Sequence, residues 1–229
     1  ILELAERKRG LVLVTGTTGS GKSTCLASMI DHLNDTVSDN IITVEDPVEY
    51  LHTDRKSIVS QREIGVDTNS YANALRAALR QDPDVLLVGE IRDLETMQIA
   101  LTAADTGHMV FATIHTTNAT ETIARVLSMY PPHQHDEIRL LLVECLAGII
   151  SLRLLPTADG SGRVPAAEIM INTAAIREYI IDKDKTGLVE QAIAEGHLQY
   201  HSQTFDQALL DLYSKQLISY EVALSAATN

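Results

Sequence analysis

One nine-residue segment constrains this chain more than any other. Gly16-Thr-Thr-Gly-Ser-Gly-Lys-Ser-Thr24 follows the apolar run Leu11–Thr15 and opens a helical pattern over Lys22–Asn34. Glycines at these places let the backbone curl so that successive N–H groups point at one anion. The helix N-terminus adds positive potential at the same spot. The spacing G-x-x-x-x-G-K-[ST] assigns Gly16, Thr17, Thr18, Gly19, Ser20, Gly21, Lys22, Ser23 and Thr24 to phosphate binding. Lys22 is expected to reach β- and γ-phosphates, and Ser23 to ligate Mg²⁺. Such a loop needs a strand before it and a helix after it, which points to an α/β chain.

The rest of the sequence agrees. Leu11–Val14, Ile41–Val44, Val85–Val88 and Met109–Ala112 are short, nearly continuous apolar runs. That pattern suits strands buried on both faces of a mostly parallel sheet. Helical segments over Lys22–Asn34, Ser70–Arg80, Asp93–Ala104 and Ala119–Met129 alternate with them. Between Thr53 and Asn69 a polar excursion carrying Gly65 suggests a small hairpin. Pro131-Pro132 closes one helix, and His133–Ile150 is expected to form the next. Leu152–Leu155 and Val164–Ile171 flank a turn-rich loop and read as a hairpin. After Asn172 strand signals vanish; Thr204–Gln207 forms a capping box and Ser219 a further helix cap. The expected organisation is an α/β core over 1–171 and a helical C-terminal subdomain over 172–229.

Charge and cysteine content narrow the function. With 18 Lys+Arg against 31 Asp+Glu the net charge is −13, the wrong sign for a protein that coats nucleic-acid phosphates. Cys25 and Cys145 alone make neither a disulfide framework nor a four-cysteine metal site, and fit a reducing, cytosolic compartment. No signal peptide is visible, and the apolar stretch Leu140–Ile150 is too short to span a bilayer. A helix already under way at Ile1, with no initiator Met, is expected of a piece of a longer protein.

Hydrolysis needs more than a phosphate cradle. Open α/β sheets place ligands beyond the carboxyl ends of their strands, so acids there are the candidates. Glu45-Asp-Pro-Val-Glu49 follows the second apolar run, and Gly89-Glu90-Ile-Arg-Asp93 follows Val85–Val88. The latter has Gly89 where many phosphate-loop enzymes place Asp, which makes Glu90 the Mg²⁺ or water carboxylate. His108 and His115 bracket the run Met109–Ile114. His115 stands at the end where a γ-phosphate would be sensed; His108 stands at the other.

These residues together resemble the secretion ATPase superfamily. Gly16–Thr24, Ile42–Tyr50, Asp82–Asp93 and Thr106–Thr116 are similar to its Walker A, Asp, Walker B and His boxes, and the similarity runs from Gly10 to about Asn229. Among its members the type IV pilus retraction ATPases look closest. The resemblance implies a RecA-like P-loop NTPase core that hydrolyses ATP with Mg²⁺. It also implies a homo-hexameric ring at the cytoplasmic face of the inner membrane, acting on a pilus platform protein. It carries catalytic roles onto Glu49, Glu90, His108 and His115, with Glu49 orienting water and Glu90 beside the metal; the sequence leaves those two roles exchangeable. Retraction members carry Ala-Ile-Arg-Asn-Leu-Ile-Arg-Glu, which Ala175–Asp182 matches in part, with Glu178, Tyr179, Ile181 and Asp182 departing. Assembly and type II secretion members carry a four-cysteine site absent here. The family's N-terminal PAS-like domain supplies arginines to the nucleotide; within this sequence Arg76, Arg80 and Arg92 are the candidates. The alternatives are an assembly or type II secretion ATPase of the same superfamily, or a RecA-like ATPase acting on nucleic acid.

Overall fold

A computed structural model describes residues 1–228. Seven strands form one sheet: β1 (Gly10–Thr15), β2 (Asn40–Glu45), β3 (Ile58–Glu63), β4 (Val85–Val88), β5 (Met109–Ile114), β6 (Leu146–Pro156) and β7 (Arg163–Ile171). They lie in the order β3-β2-β4-β5-β1-β6-β7. Every neighbouring pair is parallel except the β6–β7 hairpin. The α/β architecture with a mostly parallel sheet is as the alternation of runs predicts. Around the sheet lie α1 (Leu2–Ala5), α2 (Lys22–Thr36), α3 (Tyr71–Ala78), α4 (Leu94–Asp105), α5 (Ala119–Ser128) and α6 (His135–Cys145). After β7 come α7 (Ala174–Ile181), α8 (Val189–Glu195), α9 (His197–Tyr200), α10 (Phe205–Ser214) and α11 (Tyr220–Ala226).

The period-2 alternation of strand side chains divides the core in two. Leu11, Leu13, Ile42, Val44, Leu86 and Val88 face a layer built by α3 to α8. Val12, Val14, Ile41, Val85, Leu87 and Phe111 face α1 and α2. Each fully buried Leu, Ile or Phe contributes about 1.5–3 kcal/mol, so this two-sided burial fixes the register of the central strands. Ile176, Ile180, Val189 and Ile193 belong to the first layer. The passage to all-helical structure after Asn172 is therefore a change of secondary structure, not of core. Only α10 and α11 build a separate cluster, around Phe205, Leu209, Leu212 and Ile218 with Leu155 and Ala166. Arg153 stacks on Phe205, 3.7 Å from the ring centre.

Two expectations need correction. The excursion after β2 holds no hairpin: Ile58–Glu63 runs parallel to β2 as the edge strand. Its polar Ser60-Gln-Arg-Glu63 hides the strand in the sequence, because an edge needs little apolar burial. Likewise the helix expected over His133–Ile150 stops at Cys145, and Leu146–Ile150 is strand, bonded to β1 on one side and, from Gly148, to β7 on the other. Gly148 permits the close approach, since a Cβ there would sit 2.7 Å from the Met170 carbonyl. Asn172 Nδ2 caps the break, donating to the carbonyls of Val143 (2.9 Å) and Leu146 (2.7 Å).

The capping box is present: Thr204 Oγ1 accepts from Gln207 N at 3.2 Å, and Gln207 Oε1 accepts from Thr204 N at 3.0 Å. Ser219 accepts from Val222 N at 3.3 Å. Among the described residues no helix is long and apolar enough to cross a membrane.

Candidate functional site

The turn between β1 and α2 is shaped by its glycines. Gly16 has φ +141°, and a Cβ there would meet Ser20 Oγ at 2.4 Å and the Leu152 carbonyl at 2.6 Å, so no side chain fits. Lys22 Nζ donates to the carbonyls of Gly16 (2.8 Å) and Thr17 (3.0 Å). Burial pulls its pKa down, and the charges of Glu90 and Glu49 oppose that pull. Ser20 Oγ is buried and has no hydrogen-bond partner among the described residues, as suits a loop awaiting a polar ligand. Thr24 Oγ1 lies 2.9 Å from Tyr50 Oη, tying α2 to the segment after β2.

Opposite the loop, the carboxyl ends of β2, β4 and β5 complete a cavity shared by Lys22, Ser23, Glu49, Glu90 and His115. Glu45 is occupied structurally, accepting from Thr43 Oγ1 at 2.7 Å and Gln61 Nε2 at 3.2 Å. Glu49 is exposed and makes no side-chain bond among the described residues, so its carboxylate is available to water. Glu90 is held at both oxygens: Arg92 donates to Oε2 at 2.6 Å, and His115 Nε2 lies 3.1 Å from Oε1. The Arg92 hydrogen bond, helped by His115, holds its carboxyl below the usual range against the effect of burial. A Cβ at Gly89 would sit 3.0 Å from Tyr71 Oη and 3.1 Å from Glu45 Cα. A side chain at this position would crowd Tyr71 and β2, and the acid stands at the next residue, Glu90. Burial, with Asp46 and Glu90 nearby, pushes the Tyr71 hydroxyl up to about 12, so it stays a neutral donor.

Not every candidate arrives here. His108 sits at the opposite edge of the sheet, its Nδ1 donating to the Ala103 carbonyl at 2.9 Å. Arg76 pairs with Glu95, and Arg80 faces solvent. The stretch Ala175–Asp182 lies on α7, with Ile176 and Ile180 buried, Arg177 exposed, and the helix end capped by Arg139 through the Ile180 carbonyl at 2.6 Å.

Sequence reasoning missed a second cavity of about 560 Å³ beside the loop. Gly21, Thr24 and Cys25 form one wall; Leu152, Ile169 and Leu212 form the other. Its walls are mostly apolar and it lies directly beside the glycine-rich loop. The walls come from segments far apart in sequence, so no local pattern announces them. Burial raises the Cys25 thiol to about 11, which makes it an inert wall rather than a nucleophile.

Against known proteins, a family model described as type II/IV secretion system protein matches residues 1–192. The chain belongs to this family. Over 227 residues it is 47% identical to a twitching motility protein of Neisseria gonorrhoeae, covering 99% of this chain and 60% of that protein. Over 219 residues it is 51% identical to the type IV pilus retraction ATPase PilT of Pseudomonas aeruginosa, covering 96% of this chain and 63% of the relative. A crystal structure of the pilus retraction motor PilT with bound ADP superposes with a TM-score of 0.90 at 51% identity, over 100% of this chain and 64% of that one. The chain thus spans about three fifths of the length of these family members. The likeness establishes the RecA-like form of the α/β core.

Among the described residues no group of three or more His, Cys, Asp or Glu is arranged to hold a metal ion. Mg²⁺ in phosphate sites needs none, because it takes one or two protein oxygens and completes its shell with phosphate and water. Ser23 and Glu90, lining one cavity, fit that donor set.

Proposed function

We propose that this chain is the ATP-hydrolysing part of a type IV pilus retraction motor. The observation that carries the reading is the convergence of Lys22, Ser23, Glu49, Glu90 and His115 on one cavity at the carboxyl edge of the sheet. The loop N–H groups and Lys22 bind the β- and γ-phosphates, and the base lies in the apolar cavity beside Cys25. Ser23 and Glu90 would hold Mg²⁺, which when bound would neutralise phosphate charge. Glu49 orients the attacking water, and His115 follows the γ-phosphate from its place on Glu90. ATP hydrolysis is then electrostatic positioning, with no covalent step for the protein.

Its relatives' names, twitching motility protein and pilus retraction ATPase, support retraction as the work done. The motor is a homo-hexamer at the cytoplasmic face of the inner membrane, passing its motions to a pilus platform protein. The net charge of −13 supports a protein partner over nucleic acid.

The test is Mg²⁺-dependent ATP turnover by the full-length protein. Lys22→Ala should abolish nucleotide binding. Glu49→Ala should bind nucleotide normally and turn over about 10²–10⁴-fold more slowly, the range for loss of a positioned base. In cells Glu49→Ala should stop pilus retraction; unimpaired retraction would overturn the assignment.

A further inference from the structure

Thr15, Ser151 and Glu168 hold matched register positions on β1, β6 and β7, so their side chains form one row across three strands. All are buried, Glu168 at 4% exposure. Thr15 Oγ1 donates to Ser151 Oγ at 3.0 Å, and Ser151 Oγ donates to Glu168 Oε1 at 3.4 Å. The same carboxyl oxygen accepts the backbone N–H of Ala119, first residue of α5, at 2.7 Å. The row begins one residue before Gly16 and ends at the helix that follows His115-Thr-Thr-Asn118.

A carboxyl group is a costly filling for this place. Ala166 and Met170, its inward-facing neighbours on β7, are buried and apolar. Desolvation raises the Glu168 pKa, opposed by the Ala119 N–H, the Ser151 hydroxyl and the charge of Arg153, while Glu190 on α8 adds repulsion. An apolar residue would avoid the burial cost. It would also leave an N–H of the first helical turn, which has no intrahelical partner, without an acceptor. That N–H belongs to the segment that sets where His115 stands.

We infer that Glu168 is a positioning residue: its carboxyl ties the strand entering the phosphate loop to the first turn of α5, and so keeps His115 against Glu90. The role rests on the ATPase reading above. Phosphate binding stays with the loop itself, whose glycines and Lys22 the row does not touch. The site for chemistry, by contrast, depends on the His115 segment keeping its distance.

The test is steady-state turnover in the full-length protein. Glu168→Met keeps the volume and removes the acceptor; kcat should fall about 10–100-fold, the penalty for sub-ångström to ångström misplacement, with KM for ATP within about threefold. Glu168→Gln keeps a carbonyl oxygen for both donors and should hold kcat within about threefold of wild type. In a His115→Ala background, Glu168→Met should lower kcat by less than about twofold further, because both changes act through one segment. Unchanged kcat in Glu168→Met, equal losses in the Met and Gln variants, or losses that multiply with His115→Ala would each overturn the inference. Should Glu168→Met fail to fold, Ser151→Ala removes one donor to the same oxygen, and a kcat deficit at unchanged KM is again required. Absence of turnover in the wild type would instead refute the ATPase reading and leave its own distinct mark.

Discussion

The two histidines at the ends of β5 are the same residue type on the same strand, and the fold gives them unrelated surroundings. His115 leaves the strand at its carboxyl edge, where Nε2 meets Glu90 and faces the cavity of Lys22 and Glu49. His108 enters at the amino edge, where its ring is bonded to the Ala103 carbonyl and neighbours Arg7, Lys8, Asp82 and Asp84. With the six-residue strand between them, the seven steps from one to the other span about 23 Å at ~3.3 Å per residue. A parallel sheet is a polar object: all strand ends of one kind lie on one side, together with the helix N-termini that attract anions. Residue identity alone does not decide which histidine reaches the edge that carries Lys22 and Glu90. Strand direction does.

The sharpest way to break this contrast is at Glu90. Glu90→Gln should reduce kcat by about 10²–10⁴-fold, and a wild-type rate would strip the carboxyl edge of its chemistry. His115→Ala should cost about 10–100-fold in kcat through loss of positioning, read in the same assay. At the far edge, His108→Ala should leave nucleotide affinity within about twofold. Its effect belongs in stability: about 1 kcal/mol for a lost hydrogen bond, seen as a melting shift of roughly 2–4 °C for a chain of this size. An affinity loss in His108→Ala matching that of a loop mutant would erase the distinction.

The smallest effect is a pH dependence at Glu168. Its folded pKa is raised above the ordinary 4.5, so the native state holds that proton more tightly than the unfolded chain. Stability is therefore lost as pH rises from the ordinary value through the raised one, the reverse of a salt-bridged acid. Denaturant melts across this window should show the stability difference between Glu168→Gln and wild type growing in favour of Gln with pH. A constant difference would mean that the row leaves the carboxyl unperturbed.

Much of this was legible because it is local. The phosphate loop, the buried strands and the Thr204 and Ser219 caps are each written in a few adjacent residues whose backbone needs are specific. The misread places are those where local pattern is ambiguous or silent. Leu140–Ile150 is apolar but for Glu144 and fits a buried helix or a buried strand; the pairing of Leu146–Ile150 with distant β1 decides. β3 has a polar edge and no alternation. The opposite placement of His108 and His115 was, by contrast, legible from the run Met109–Ile114 between them. The apolar cavity beside Cys25 and the Glu168 row draw on segments more than a hundred residues apart. The one trace of the row in the sequence is a charge among Val164–Ile171, where every other inward position is apolar.

Lys22 and the carbonyls of Gly16 and Thr17 carry a consequence for cycling. The loop braces itself, because its own ammonium group sits on the acceptors at its rim. On the proposed ATPase reading, nucleotide entry becomes an exchange: phosphate oxygens would draw Nζ away from two carbonyls that take it back when phosphate leaves. On that reading, departure of product restores these bonds instead of leaving a bare cation in a half-buried pocket. A site that must let go as often as it grips is served by a holder that closes on itself.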